Sequence, residues 1–277
     1  MVPFCFSRRR RSRHRLWQAG RVLRVDLNAD VGESYGAYVV GDDEALLASL
    51  TSASIAAGFH AGDPQVLRRT IRLARRHGVY VGAHPGFPDL AGFGRREMCL
   101  SADEAEDLVL YQIAAVAGVA KSEGVRLQHV KPHGALYNMA AADAGLAAAI
   151  ARAVLAFDAS LILFGLPGSA LLEAGRAAGL RVATEAFADR AYQRDGTLAP
   201  RSIPGAVISE PSAVVSRAIR MVSEGVVTAI DGTDVQVAAD TLCVHGDTPG
   251  AGQLAASVRS GLEAAGITVA AIADGRA

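Results

Sequence analysis

Short apolar runs alternate with longer amphipathic segments along most of the chain. In the amphipathic segments, apolar side chains recur at i, i+3 and i+4, which is the helical period. The apolar runs predict strands over residues 22–27, 53–57, 79–83, 126–130, 160–164, 180–185 and 241–244, with a further candidate at 267–272. Repeated strand-then-helix units over about 250 residues favour a parallel sheet, and seven or eight units favour a closed TIM-like barrel. A doubly wound open sheet is the main alternative.

Local signals mark where several of the helices begin and end. They are a cap followed by proline at Asp63-Pro64 and at Thr248-Pro249, a capping box at Ser101 and Glu104, and a terminating glycine at Gly78. These residue types satisfy the backbone groups that a helix end leaves without partners. The segment 228–237 departs from the pattern, because Asp231-Gly232 stands between two β-like arms and predicts a hairpin.

Charge is distributed unevenly along the chain. The 28 basic and 28 acidic residues give a formal net charge of zero, yet residues 1–24 contain eight arginines and no acid. The remaining residues therefore carry 20 basic against 28 acidic side chains, a net charge of −8. Such an acidic body is a poor binder of nucleic-acid phosphates. We expect residues 1–24 to form a basic, disordered extension and residues 25–277 to form one barrel domain.

Two features that the sequence lacks bear on the cellular compartment of the protein. The three cysteines form no CxxC pair, which fits a reducing compartment. No apolar run approaches about 18 residues, so no membrane-spanning helix is expected. We predict a cytoplasmic protein that does not bind a membrane.

Ionisable side chains gather where the predicted strands end. The first strand leads into Asp26, Asn28, Asp30 and Glu33, the second into His60 and Asp63, the third into His84 and Asp89, the fourth into Lys131 and His133, the sixth into Glu185, Asp189 and Arg190, and the seventh into His245 and Asp247. Parallel strands direct their C-terminal ends to one face, where barrel enzymes place their chemistry. The sequence therefore predicts a polar site at the barrel mouth.

Individual members of this set have structural alternatives. Asp63 is as well explained as a helix cap. Asp26 and Asn28 share one side of a strand, so in a barrel interior they would need polar partners, a ligand or a metal. Lys131 is one of only two lysines in the chain, which suggests a requirement for a compact ammonium. Cys243 lies in a predicted strand and is expected to be a buried core residue.

Several catalytic signatures are missing from the sequence. It contains no P-loop, no GxGxxG turn after a strand and no GxSxG nucleophile elbow. Hydride transfer, P-loop nucleotide binding and serine-hydrolase chemistry therefore lose support. Carboxylates and imidazoles remain, and they suit general acid–base catalysis or a divalent metal.

Long motifs at these same positions resemble the LamB/YcsF family over about residues 25–264. They are DLNAD at 26–30, GFHAGDP at 58–64, GAHPGFPDL at 82–90, GFGRR at 92–96, LQHVKPHGALYN at 127–138, FADRAY at 187–192 and CVHGDTPGA at 243–251. Two departures concern Ala57, where the family usually has cysteine, and DVGESYG at 30–36, where it commonly has DLGEGFG. We interpret position 57 as a packing position.

The resemblance implies a seven-stranded β/α barrel of the glycoside hydrolase/deacetylase type. It implies ATP-dependent opening of the lactam of 5-oxoproline (pyroglutamate) to L-glutamate, together with partner subunits B and C of a 5-oxoprolinase. ATP with Mg²⁺ is expected to be handled by the partners, since this chain lacks a nucleotide-binding signature. The alternatives are a stand-alone metal-dependent amidohydrolase or deacetylase, and a non-catalytic subunit that presents substrate.

The site residues follow from combining the strand-end pattern with this resemblance. The predicted catalytic residues are Asp26, Asn28, Asp30, His60, His84, Lys131 and His133. The predicted substrate-binding residues are Glu33, Asp63, Asp89, Arg95, Tyr137, Glu185, Arg190, His245 and Asp247. If a divalent metal binds, the predicted ligands are Asp30, His60 and His84.

Overall fold

A computed structural model describes residues 23–246 and 250–272 of the 277-residue chain. Most of the predicted basic extension lies outside the described residues. The same is true of Asp247 and of the helix start predicted at Thr248-Pro249.

Seven parallel strands close into a barrel. The described residues form ten strands: β1 (Arg24–Val31), β2 (Ser52–Ala56), β3 (Tyr80–His84), β4 (Leu127–Val130), β5 (Ile162–Gly165), β6 (Arg181–Phe187), β7 (Val226–Thr228), β8 (Asp234–Gln236), β9 (Thr241–Cys243) and β10 (Thr268–Val269). The order β1-β2-β3-β4-β5-β6-β9 is closed by pairing of β9 with β1, and β10 pairs with the first residues of β1. The predicted seven-stranded barrel is confirmed, and the open doubly wound sheet is excluded.

Helices cover the outside of the barrel. They are α1 (Asp43–Leu47), α2 (Pro64–His77), α3 (Ala102–Ser122), α4 (Gly134–Ala142), α5 (Ala144–Phe157), α6 (Ala170–Ala177), α7 (Pro211–Glu224) and α8 (Ala251–Ala264). In the described part of the chain no single helix is long and apolar enough to cross a membrane, and α4 with α5, bent by 116°, satisfies length and composition only as a pair.

The predicted helix signals act as expected where they are described. Asp63 caps α2 by accepting hydrogen bonds from two backbone amides, and Gly78 ends that helix in the left-handed region at φ 67°. Ser101 and Glu104 form the reciprocal capping box of α3. The predicted hairpin is also confirmed, because β7 and β8 pair antiparallel around Asp231-Gly232.

The strands separate an apolar outer layer from a polar interior. In β1, Leu27 and Ala29 belong to the large hydrophobic cluster, whereas Asp26, Asn28 and Asp30 contact residues of other barrel strands or the turns beyond them. Alternate residues of a strand face opposite sides, so this single strand supplies both layers. The interior is therefore polar along much of β1.

His129 on β4 is an uncharged histidine of this interior. Its ring stacks on Phe164 with centroids 4.2 Å apart, and its Nε2 lies 3.1 Å from the hydroxyl of Ser54. Burial, followed by the charge of Lys131, lowers the pKa of His129 to about 3. The ring is thus neutral in the native protein at any pH above that value.

This burial predicts that His129 contributes to acid sensitivity. Between about pH 6.5 and the folded pKa, the unfolded chain binds a proton at this ring that the native chain does not, so stability falls as pH falls. Replacing His129 by glutamine is expected to shrink the loss of unfolding free energy between pH 7 and pH 5 by about 2 kcal/mol. Urea unfolding at pH 7 and pH 5 measures this change in unfolding free energy, with the exposed His77→Gln variant as control. An equal loss in H129Q and the wild type would contradict the assignment.

Candidate active site

Lys131 is the central charge of the barrel interior. It follows β4, where its backbone amide donates to the carbonyl of Ala83 on β3. Its side chain is 2% exposed. The Nζ atom lies 2.6 Å from Oδ1 of Asp30, and it donates hydrogen bonds of 2.9 Å to both Asn28 and Glu185. One ammonium group, which follows β4, thus joins side chains from two other barrel strands, β1 and β6.

The two carboxylates keep this lysine charged. Burial alone would lower the pKa of Lys131, but Asp30 foremost among its neighbours raises it well above the ordinary lysine value. Burial would likewise raise the pKa of Asp30, yet the neighbouring His84 and the charge of Lys131 hold it well below the usual range. At neutral pH the site therefore contains an ammonium paired with an ionised carboxylate.

Asp26 forms a layer beneath this pair. Its two oxygens accept hydrogen bonds of 2.5–2.7 Å from the hydroxyls of Thr51, Ser52 and Thr241. Burial raises its pKa despite these bonds. Thr241 also accepts a 2.7 Å hydrogen bond from Asn28 Nδ2, which connects the layer to Lys131. Asp26 is therefore placed to position Asn28 rather than to contact a ligand.

Three histidines and a glutamate form a second cluster next to Asp30. Glu33, His60, His84 and His133 are all buried, and one donor atom from each lies within 4.8 Å of the others. The rings of His60 and His133 stack at 3.8 Å, and Nε2 of His84 lies 2.9 Å from Nδ1 of His133. Burial before all other causes lowers the pKa of His133 to about 3 and that of His60 well below its ordinary value. Neutral imidazoles of this kind can bind a metal ion.

Both clusters open into one cavity of about 550 Å³ at the C-terminal mouth of the barrel. Its outer wall carries three arginines, Arg95, Arg190 and Arg201. Burial, followed by the charges of Arg201 and Arg95, lowers the pKa of Arg190. Convergence of like charges is electrostatically unfavourable, and an anionic ligand would relieve it.

Another part of the wall carries the aromatic and carboxylate side chains of Tyr137, Phe187 and Glu185. Tyr137 on α4 donates a 2.9 Å hydrogen bond to Oε2 of Glu185, whose Oε1 contacts Lys131. His245 bonds through Nδ1 to Asp189 at 2.7 Å and stacks on Phe187. These bonds fix the orientation of each polar group before any ligand arrives.

Most of the predicted site residues meet at this cavity. Those that line it are Asp30, Glu33, His84, Arg95, Lys131, His133, Tyr137, Glu185, Arg190 and His245. Asp26, Asn28 and His60 lie directly behind its wall. Asp247, a predicted substrate-binding residue, lies outside the described residues.

Two carboxylates that were predicted to bind substrate form hydrogen bonds outside the cavity. Asp63 caps α2 through one oxygen and accepts a 2.9 Å hydrogen bond from the amide of Gly36 through the other. Asp89 pairs with Arg96 and accepts from the amide of Gly92, and these partners lower its pKa to about 2. Both carboxylates hold loops of the mouth and do not line the cavity.

Sequence reasoning missed several polar contributors to the site, among them Cys243, Glu97 and Arg201. Cys243 is fully buried, as predicted, but its Sγ also lies 3.3 Å from Lys131 Nζ. Glu97 and Arg201 line the cavity from irregular segments. A carboxylate and an arginine in loops give no periodic signal, and the two positions follow no predicted strand directly.

The comparisons with known proteins agree with this architecture. The family model described as LamB/YcsF family matches residues 25–277. The chain belongs to the LamB/YcsF family. A relative from Symbiobacterium thermophilum, named as the A subunit of 5-oxoprolinase, is 59% identical over 252 residues, which cover 91% of this chain and 97% of the relative. A protein of the same name from Bacillus subtilis is 56% identical over 255 residues, covering 92% and 99%.

A solved LamB/YcsF relative shares the fold. The Lactam Utilization Protein of Thermus thermophilus is 55% identical, superposes with a TM-score of 0.86, and is matched over 90% of this chain and all of that one. Position 57, where this LamB/YcsF chain departs from the expected cysteine, is a half-buried alanine packed against the hydrophobic core.

Proposed function

We propose that this chain is the lactam-opening subunit of an ATP-dependent 5-oxoprolinase, acting in the cytoplasm with partner subunits B and C. The observation that carries the proposal is the Lys131–Asp30 ion pair at 2.6 Å, which lies in the cavity wall. The same cavity is lined by Arg95, Arg190 and Arg201, which we call the arginine rim. The names of the relatives from S. thermophilum and B. subtilis supply the substrate and the multi-subunit setting.

The proposed chemistry divides the reaction between the subunits. A five-membered lactam is an unstrained, resonance-stabilised amide, so water attacks it slowly. The partners transfer a phosphoryl group from ATP, with Mg²⁺, to the lactam oxygen. Water then adds to the activated ring carbon, and the ring C–N bond breaks with a proton delivered to nitrogen. A second water hydrolyses the resulting acyl phosphate to the side-chain carboxylate of L-glutamate and inorganic phosphate.

Each polar group of the cavity has a place in this scheme. The positive charge of Lys131, in the cavity wall, stabilises negative charge on oxygen at the reacting carbon. Asp30 lines the cavity beside Lys131 and His84, so its position makes it the proposed proton acceptor. The arginine rim binds the phosphate and carboxylate groups of the activated substrate. Asn28 and Glu185 position Lys131, and Tyr137 positions Glu185.

A stand-alone metal-dependent amidohydrolase is the second candidate function. The cluster of Glu33, His60, His84 and His133 favours it, because imidazole and carboxylate donors are the set that zinc enzymes use. In that case the chain would hydrolyse an amide with neither ATP nor partners.

Glutamate release from 5-oxoproline separates these two functions. The assay supplies ATP and Mg²⁺ to this chain alone, to subunits B and C alone, and to all three together. We expect release only in the complete mixture. Release by this chain alone without ATP would contradict the proposal and favour the amidohydrolase. No release from the complete mixture, with ATP turnover by B and C confirmed, would point to a different substrate.

A non-catalytic, substrate-presenting role makes a different prediction for variants. If the chain only presents substrate, Asp30→Asn and His60→Gln should act by weakening assembly with B and C. If it catalyses ring opening, both should lower turnover while the complex still forms. Size-exclusion chromatography of the mixture alongside the glutamate assay distinguishes the two, and normal turnover by both variants would contradict the catalytic assignment.

A further inference from the structure

The hydrogen bonds of two histidines determine which of their ring nitrogens carry protons. Nδ1 of His84 lies 2.7 Å from the carbonyl oxygen of Lys131, and Nε2 of His133 lies 2.8 Å from the carbonyl oxygen of Phe93. A carbonyl oxygen can only accept, so each of these outer nitrogens is an N–H donor. A neutral ring has one N–H, so the inner nitrogen of each ring is left with a lone pair.

These two inner nitrogens face each other. Nε2 of His84 lies 2.9 Å from Nδ1 of His133. Two lone pairs at this distance repel each other unless a cation lies close to both. The cation is either a proton, which would make one ring an imidazolium, or a metal ion that both rings bind. Outer nitrogens bonded to backbone carbonyls are the usual arrangement around metal-binding histidines.

The third histidine favours the metal ion over the proton. His60 is fully buried, and neither of its ring nitrogens has a hydrogen-bond partner among the described residues. Leaving a buried polar group without a partner costs about 1–3 kcal/mol. A proton shared by His84 and His133 would leave the ring nitrogens of His60 without a partner, whereas a metal ion bound to His60 would provide one.

The packing around His60 holds the ring in this position. A side-chain carbon added at Gly86 would lie 2.5 Å from its Nδ1, and one added at Gly94 would lie 2.7 Å from its Cβ. Gly94 also has a φ of +62°, where glycine avoids the strain of a side chain. The chain thus brings two glycine backbones against a histidine whose ring nitrogens have no hydrogen-bond partner in the described part of the chain.

We propose that Glu33, His60, His84 and His133 bind one divalent transition-metal ion of the zinc class. Nε2 of His60 and Nδ1 of His133 lie 3.6 Å and 3.7 Å from Oε1 of Glu33. Ligand bonds of about 2.0–2.1 Å place two donors roughly 2.9–3.6 Å apart for angles between about 90° and 120°. The separations of 2.9, 3.6 and 3.7 Å lie near that range, and the stacked rings of His60 and His133 must turn out of parallel to direct both nitrogens at one ion.

This ligand set differs from the one predicted from sequence in its carboxylate and in the addition of His133. Asp30 lies 3.2 Å from His84, but its other oxygen is paired with Lys131 at 2.6 Å. Glu33 is therefore the carboxylate ligand, and Asp30 remains an ionised neighbour. A bound ion would act as a Lewis acid on an oxygen in the adjoining cavity. The metal site itself does not depend on the proposed lactam chemistry.

Direct metal binding tests the site. The full chain, without a polyhistidine tag and stripped with a chelator, is titrated with Zn²⁺ by calorimetry and with Co²⁺ by visible absorption. We expect about one ion per chain, as for a four-ligand site, and a higher Tm with Zn²⁺. His60→Gln should weaken Zn²⁺ binding by more than the about 100-fold that losing a neighbour of a ligand costs. His129→Gln, which replaces a buried histidine outside the cluster, should bind like the wild type.

A second variant guards against misfolding. Glu33→Gln keeps the shape of the ligand, removes its charge and should also weaken Zn²⁺ binding, with circular dichroism confirming the fold of each variant. Equal Zn²⁺ affinity in the wild type, H60Q and E33Q would overturn the proposal. So would a metal-free wild type whose ¹⁵N histidine spectrum shows an imidazolium at His84 or His133 that added Zn²⁺ leaves unchanged. Binding by the isolated chain and glutamate release by the three-subunit mixture are separate readouts, so each proposal fails on its own data.

Discussion

Replacing Lys131 by methionine is expected to lower glutamate release by the complete mixture by about 10²–10³-fold, the loss typical for removing one preorganised group that stabilises a developing oxyanion. Methionine matches the length of the lysine stem but has neither charge nor N–H. The Lys131 Nζ group contacts Asp30, Asn28 and Glu185 at 2.6–2.9 Å, so all three lose a partner. The effect should fall on kcat more than on KM, because the arginine rim that binds substrate anions is unchanged.

The single variant should also lower stability. Asp30 and Glu185 would remain as two carboxylates with no cation between them, and breaking a buried ion pair costs about 3–5 kcal/mol. Lys131 is only 2% exposed, so its ion pair with Asp30 is a buried one. A loss of activity in K131M alone would therefore mix a chemical cause with a structural one.

A charge-matched variant separates the two causes. K131M combined with Glu185→Gln restores the wild-type net charge of the Lys131, Asp30 and Glu185 group. We expect the double variant to recover most of the unfolding free energy, measured with urea, while turnover remains as low as in K131M. Glu185→Gln alone keeps Lys131 and serves as the control. Turnover in the double variant close to that of E185Q would remove Lys131 from the chemistry.

The sequence predicted the barrel because short apolar runs, which indicate strands, are clearly distinguished from segments with the helical i, i+3, i+4 spacing. Each of the seven barrel strands overlaps a predicted apolar run, and the hairpin at Asp231-Gly232 lies where its turn residues stand. The convergence of His84, Lys131 and Glu185 followed from the rule that parallel strands end at one face. These predictions needed only the direction of the strands.

The sequence could not predict how deep in the barrel each side chain lies. Asp26 and Asp30 share one side of β1, yet only Asp30 lines the cavity, because Asp26 lies deeper among Thr51, Ser52 and Thr241. Strand alternation gives the side of a residue and not its depth in the barrel.

Loop conformation set a second limit. Gly32 has a φ of +70°, and immediately after this turn Glu33 lies beside His60 and His133. Glu33 was predicted as a substrate-binding residue; it lines the cavity and also lies within the histidine cluster. The contact between Cys243 and Lys131 spans 112 positions of sequence across the barrel, so no local pattern could reveal it.

Asp30→Asn is expected to lower turnover by about 10²–10⁴-fold, the range for losing a positioned acid–base group. The change is nearly isosteric, and the amide oxygen can still accept from Lys131. The fold should therefore persist. Since Asp30 is the neighbour that most raises the pKa of Lys131, its neutralisation should also lower that pKa.

Comparison with Asp30→Glu distinguishes charge from position. Glutamate keeps the negative charge but moves the carboxylate by about one methylene, and misplacement of about 1 Å can cost about 10²-fold. We expect both variants to be slow, with Zn²⁺ binding retained in D30N because Asp30 is not a proposed ligand. Single-turnover glutamate release with pre-assembled subunits measures the chemical step directly. A wild-type rate in D30N would show that the proton acceptor lies elsewhere in the cavity, with Glu33 the next carboxylate along its wall.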